Sequence, residues 1–286
     1  MIAQRLRRAR PLLGTIVDIQ AWGLPRADLV RAVERAFRAV TRVHESMSAH
    51  DAGSDVARIN GSAPGAAVPV GRATFEVLAA AVRLSRETRG AFDPTVAPLL
   101  ARWGYLPHGA RSRAARSCGA IDLVPPRTVV LRRRVAIDLG GIAKGYAVDR
   151  AVASLRRSRV AGAVVNAGGD VRIAGTEPRV IHVPLPRHRG RMALAIPLRN
   201  AAIATSAAYR SIRVVGGRRV SHLVDPQKRS PILTRASVSV VAPTCLLADA
   251  LTKAVMVDGD GARPALRRHG ATAFVVNLRG EWRAIG

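Results

Sequence analysis

The sequence predicts an α+β protein, a single compact unit over residues 1–286 with mixed sheets, and three observations carry that reading. Amphipathic helical stretches and short alternating strands both occur along the chain. Glycine pairs punctuate the strand–helix and strand–strand junctions, at 140–141, 168–169 and 216–217. There is no internal repeat and no linker longer than a loop, although the length also accommodates two intimately packed subdomains. A hydrophobic content of 48% supports a folded core, and with aromatics at 3% that core is built from Ala, Val, Leu and Ile.

Taken in order, 12–22 alternates like a strand. Residues 26–48 form a helix with Leu29, Val33, Phe37, Val40 and Val43 on one face. The segment 50–70, rich in Gly, Ser, Asp and Asn, reads as a loop. A second helix over 73–88 ends at Gly90, a good residue to close it. Asp93–Pro94 forces a turn or an extended entry into a short helix over 96–103. The stretch 110–134 reads as charged loop and hairpin, with strands at IDLV and TVVL. A short strand (135–139) then passes through Gly140–Gly141 into a helix over 142–158.

Strands follow at 160–165, 180–185, 192–198, 201–205 and 212–215, the last joined by Gly216–Gly217 to 219–224 as in a hairpin. A strand at 237–242 feeds a helix over 245–257, and a helix and two strands end the chain.

The net charge of +27 invites a nucleic-acid reading, but the composition argues against it. Of 46 basic residues only Lys144, Lys228 and Lys253 are lysine, the bias expected of a GC-rich coding sequence. The arginines are scattered without stacking aromatics or zinc-finger spacing, so no specific nucleic acid is expected. The surviving lysines mark places where arginine does not serve equally well. Cys118 and Cys245 lack metal-like spacing and read as packing residues. No apolar run is long enough to span a bilayer. The basic start lacks a signal-peptide core, so the chain reads as cytoplasmic, or as periplasmic or membrane-associated if its true start lies upstream.

Five segments bear on chemistry. In IDLGGIAKGYAVDR (137–150), a strand, a glycine turn and a helix start bring backbone N–H groups, Asp138 and Lys144 to where a phosphate can sit. The same spacing also suits a plain strand–helix turn. MSAHDAGSDVARIN places Met47 at the root of a polar loop. GAFDPTVAPL fixes Asp93, which equally suits a helix N-cap. SHLVDP sets His222 and Asp225 at a strand end, as base and orienter or as a structural pair. In ADALTKAV, Asp249 and Thr252 share a helix face, a hard-oxygen pairing that suits Mg²⁺ or an inward-facing threonine alone.

In this order, GAFDPTVAPL, IDLGGIAKGYAVD, NAGGDVRIAG, IATS, HLVDP and ADALT resemble the FAD:protein FMN transferases, the ApbE-type flavin transferases, across nearly the whole chain. The resemblance implies a T-fold-related architecture and Mg²⁺-dependent cleavage of FAD at its pyrophosphate. FMN passes to a Thr or Ser hydroxyl of an acceptor protein as a phosphoester, and AMP is released. A metal-dependent FAD pyrophosphatase and a non-catalytic flavin-binding protein are the alternatives.

Carried over residue by residue, the resemblance implies Asp249 and Thr252 as metal ligands, with the Gly141 carbonyl as a third. Met47, Ala91, Phe92, Asp93, Asp138, Lys144 and Leu223 would line the FAD site. His222 would be the base, oriented by Asp225. It also implies that Asp249→Ala removes turnover with the fold intact. Departures from the family pattern fall at Ala207, Lys228–Arg229 and Lys253, the last at the place four after Asp249 where many members carry a threonine.

Overall fold

The computed structural model describes residues 4–107, 118–186, 188 and 190–286. Two strands open it, β1 (Arg5–Leu12) and β2 (Thr15–Trp22), paired antiparallel about Leu13 and Gly14. The strand expected over 12–22 is therefore the second arm of a hairpin. Gly14, at φ +68°, reverses the chain inside the expected strand. Helix α1 (Arg26–Met47) buries Leu29, Val33, Phe37, Val40 and Val43, as the periodicity predicts.

Where a loop is expected, α2 (Asp55–Gly61) forms. Ser54 caps it by accepting the Ala57 N–H at 2.9 Å. Seven residues are too few for a periodic signal. Next come β3 (Ala67–Pro69), α3 (Arg72–Glu87), closed by Gly90 at φ +79°, and α4 (Ala97–Arg102). Strands β4 (Ile121–Val124) and β5 (Thr128–Leu131) make a small sheet in the order β3-β5-β4. The charged stretch expected from 110 lies outside the described residues up to 117.

The strand expected at 135–139 joins no sheet among the described residues. Its partner is a side chain. Asn60 Nδ2 donates to the Ile137 carbonyl at 2.9 Å and its Oδ1 accepts the Ile137 N–H at 2.8 Å, while the Asp138 N–H donates to the Pro94 carbonyl at 2.8 Å. These bonds satisfy the backbone that a neighbouring strand would otherwise pair.

Then follow α5 (Ala143–Arg157), β6 (Gly162–Ala167), β7 (Asp170–Ala174), β8 (Arg179–Pro184), β9 (Met192–Leu198) and β10 (Ala202–Ala207). Short ribbons follow, β11 (Arg213–Val215) with β12 (Arg218–Val220), and β13 (Val224–Asp225) with β14 (Ser230–Pro231). The chain ends with β15 (Ser237–Ala242), α6 (Cys245–Asp258), α7 (Arg263–Arg268), β16 (Thr272–Val276) and β17 (Trp282–Ile285).

Eight strands form one sheet in the order β1-β2-β6-β7-β10-β15-β16-β17. The α+β class stands as read, and the pairings among the described residues are antiparallel throughout rather than mixed. Helices α1, α5 and α6 cover one face. Small sheet residues there, Ala163, Ala167, Ala202 and Ala204, let the helices approach closely. Burying Leu29, Phe37, Ile142 and Leu155 fully in this layer contributes roughly 1.5–3 kcal/mol each.

The β8–β9 ribbon covers the other face, packing Val183, Ile196 and Leu198 onto Val171, Ile173 and Ile203. Both cysteines are buried and free, as expected. Among the described residues no helix is long and apolar enough to cross a membrane.

Candidate active site

The start of α5 is the structural pivot. Helices α5 and α6 cross so closely at Gly145 that an added Cβ would lie 2.2 Å from the Cys245 carbonyl oxygen and 2.9 Å from Asp249 Cβ. Only glycine fits there, and the absent side chain lets the Gly145 N–H donate to Asp249 Oδ2 at 3.1 Å. The carboxylate of α6 thus sits at the positive end of α5. The exchange is reciprocal. Asp149 on α5 accepts the Cys245 and Leu246 N–H groups at 2.9 and 3.0 Å, capping α6.

Around this crossing lie two acids and two ammonium groups. Lys144 Nζ is 2.6 Å from Asp170 Oδ2 and 3.4 Å from Asp249 Oδ2. Lys253 Nζ binds Asp249 Oδ1 and, at 2.9 Å, the Asp249 carbonyl oxygen. Thr252 Oγ1 donates to that same carbonyl at 2.7 Å and meets Ser206 Oγ at 2.7 Å. Burial alone would lower the Lys144 ammonium, but Asp170 and Asp249 outweigh it and raise the group. Burial likewise opposes ionisation of Asp249, and Lys144 and Lys253 reverse that, holding it below the usual carboxylate range. Asp170 is pushed up by burial and by the charge of Asp249.

Above this floor opens a cleft of about 340 Å³ lined by Ala91, Phe92, Asp93, Asp138, Gly141, Lys144, His222 and Leu223, together with Asp170, Ser206, Arg210 and Lys253. A second lobe of about 500 Å³, lined by Val43, Met47 and His50, shares Leu106, Asp138, Gly140 and Lys144 with the first. The structure therefore brings together every residue expected to line the site, with Met47 in the second lobe. Asp93 also N-caps the 3₁₀ turn 94–96, accepting the Thr95 N–H at 2.8 Å and Thr95 Oγ1 at 2.6 Å. Burial raises the Asp138 carboxyl, against the pull of Gly140 N–H, His50 and both lysines.

At the rim, His222 is exposed on the segment joining β12 to β13. Its Nδ1 and its backbone N–H (3.3 Å) both meet Ser211 Oγ. Assigning the Ser211 proton to the Ala208 carbonyl, 3.2 Å away, makes Nδ1–H the donor and leaves Nε2 unprotonated. The protein packed around the ring and the charges of Lys253 and Lys144 lower the imidazole from its usual value. Tyr105 braces this rim, donating to the Ser211 carbonyl at 2.5 Å and standing edge-on to His222.

Asp225 does not orient His222. Its Oδ1 accepts the Gln227 and Lys228 N–H groups, both at 2.9 Å, so it organises its own turn. Only Leu223 and Val224 lie between the two residues, yet their side chains serve different partners.

The Mg²⁺ ion implied by the resemblance does not fit the expected ligands as they stand. Both Asp249 carboxylate oxygens and its carbonyl already serve Lys253, Lys144, Gly145 and Thr252. Lys253 Cε lies beside Gly141, 3.7 Å from where a Cβ there would lie. No group of three or more His, Cys, Asp or Glu poised for a metal occurs among the described residues.

The fold is matched by known proteins. A model of the ApbE family matches residues 13–265. The chain belongs to that family. The FAD:protein FMN transferase of Salmonella typhimurium is 28% identical over 94% of this chain and 83% of its own length. The FAD:protein FMN transferase of Vibrio cholerae is 29% identical over 90% of this chain and 83% of its own. The ApbE protein of Thermotoga maritima superposes with a TM-score of 0.85 at 31% identity, covering 98% of this chain and 96% of its own. The flavin transferase ApbE from Vibrio cholerae does so at 0.82 and 25%, over 99% and 96%.

Within this ApbE-family site, sequence reasoning left Asp170, Ser206, Ser211 and Arg210 unassigned. Asp170 carries a signal, since it follows the Gly168–Gly169 turn of NAGGD, where φ values of +63° and +104° swing the chain back over Lys144. Ser211 carries none, because only the fold brings it to His222. The departure at Ala207 is harmless, as φ −149° and ψ 115° suit alanine.

Proposed function

We infer that this chain cleaves FAD and transfers its FMN half to a hydroxyl of an acceptor protein, releasing AMP. The observation that carries the reading is the pair of lobes meeting at Lys144, a shape for a ligand with two ring-bearing ends and a charged middle. FAD has that form, with the flavin and the adenosine flanking a pyrophosphate. Phe92, Leu223 and Met47 offer apolar walls for the ends, while Lys144 and the start of α5 meet the phosphates.

His222 accepts the acceptor's proton at Nε2, the nitrogen Ser211 leaves free. The acceptor oxygen bonds to the FMN phosphorus as the anhydride P–O bond breaks, and AMP leaves with the bonding pair. A Thr or Ser hydroxyl is the acceptor of that chemistry. Of the two finer features the resemblance implies, the hydroxyl acceptor is kept, and no step is routed through Mg²⁺ because Lys253 holds the expected ligands.

The test is chromatography of products after incubating the chain with FAD and a peptide bearing an accessible threonine. AMP with a flavin-labelled peptide is the expected result. AMP with free FMN, peptide or not, would make the chain an FAD pyrophosphatase instead. Intact FAD in every condition would leave only a flavin-binding protein.

A further inference from the structure

We propose that the Lys253 ammonium is the resident cation of this site, seated on Asp249 where a divalent ion would otherwise bind and excluding it. The inference rests on the FAD-cleaving reading for its chemistry and on the geometry alone for its occupancy.

Two contacts fix the ammonium, one to Asp249 Oδ1 and one at 2.9 Å to the Asp249 carbonyl oxygen. That is a chelate by one residue's side chain and main chain, as a hard cation would make. An ammonium has three N–H donors, so two are committed and the third remains for an oxygen in the cleft that Lys253 lines. The second cation is Lys144, bridging Asp170 and Asp249. Two carboxylates and two ammonium groups thus balance in a floor where Asp249 is fully buried and Lys253 is 16% exposed. A divalent ion added there would have to share Asp249 with Lys253 and Lys144, and would add positive charge to a balanced, poorly screened place.

Lysine usage is an independent observation. The chain has 46 basic residues and only three lysines, of which two stand in this floor. A compact ammonium can sit on one carboxylate and one carbonyl beneath a phosphate, and a planar guanidinium fork cannot. In the reaction the third Lys253 N–H and Lys144 stabilise the charge that develops on the phosphate oxygens. No covalent bond to lysine forms. The acceptor O–P bond forms, the anhydride P–O bond breaks, AMP takes the electron pair, and His222 takes the proton.

The decisive measurement is Mn²⁺ binding to the full chain by electron paramagnetic resonance, with and without FAD, beside AMP release in excess EDTA or in Mg²⁺. The unaltered chain is expected to bind no stoichiometric Mn²⁺ and to release AMP in EDTA within about twofold of its rate in Mg²⁺. Lys253→Thr is expected to gain a Mn²⁺ site and to lose at least about 100-fold of its EDTA-resistant rate, with partial recovery in Mg²⁺. Stoichiometric Mn²⁺ on the unaltered chain, or AMP in Mg²⁺ alone, overturns the proposal and leaves the transferase reading standing. Absence of AMP in every condition removes that reading instead, and the Mn²⁺ signal of the unaltered chain, which needs no variant to fold, still decides what occupies Asp249.

Discussion

The floor and the rim of the cleft are built on opposite principles. Asp249 and Asp170 are buried near the crossing of α5 and α6, and half-buried Lys144 and Lys253 are committed to them. His222, Ser211 and Tyr105 stand around short ribbons outside the eight-stranded sheet, exposed or half-buried and held by a few hydrogen bonds. The floor is therefore part of the core, and its chemistry is inseparable from folding. The rim can be altered while the core stays packed.

The largest effect expected from that contrast is at Asp249. Asp249→Ala strips the partner from two ammonium groups and the Gly145 N–H, and breaking a buried pair this way costs about 3–5 kcal/mol. The urea midpoint should fall sharply as AMP release is lost, so the fold would not stay intact as the resemblance implies. An unchanged midpoint would break the comparison, because the floor would then be no more interlocked than the rim.

His222→Ala is the counterpart. AMP release should fall about 10²–10⁴-fold with stability within about 0.5 kcal/mol of the parent. The pH dependence follows from the lowered imidazole. Between the unfolded value of roughly 6.5 and the lower folded value, the folded state binds fewer protons than the unfolded one. Acidification through that window therefore costs stability, while His222 stays neutral and able to accept a proton. The rate should hold through about pH 6, with its acid limb below the ordinary histidine range. A limb at or above about 6.5 that persists in His222→Ala would sink the assignment.

The same contrast explains what was legible in the sequence. The floor was largely readable, because Lys144 and Asp249 lie in patterned segments whose helices, α5 and α6, are long and amphipathic or apolar enough to register. What escaped there was occupancy. That Lys253 turns back onto Asp249 depends on side-chain conformation, although its place four residues on already made the meeting geometrically open. The rim was poorly readable. Ser211 and His222 are eleven residues apart, and Asp225 serves its own turn despite standing nearer in sequence. The segment 135–139 failed for a related reason, since a single long-range asparagine replaces the strand partner its apolar run suggests.

A smaller effect separates the two candidate partners of His222. Ser211→Ala removes the hydroxyl that fixes the ring, and loss of one hydrogen bond of about 1 kcal/mol corresponds to roughly a fivefold change in rate. Its acid limb should move as well. Asp225→Ala instead removes two turn bonds, costing roughly 1–2 kcal/mol of stability with the pH profile in place. A pH shift in Asp225→Ala alone would return the orienting role to the carboxylate.

The smallest effect tests whether the rim tolerates strain that the floor would not. Arg229 follows the Asp225 turn at φ +53°, a left-handed conformation costing a side-chain-bearing residue roughly 1–2 kcal/mol. Glycine adopts it freely but gives up about 0.5–1 kcal/mol through the greater freedom of its unfolded chain. Arg229→Gly should therefore gain at most about 1 kcal/mol, a rise of roughly 2–4 °C in Tm for a chain of this size. AMP release should be unchanged with a peptide acceptor. A fall in Tm would mean that the Arg229 side chain holds the turn more strongly than its backbone strains it, and the rim would then share the interlocked character of the floor.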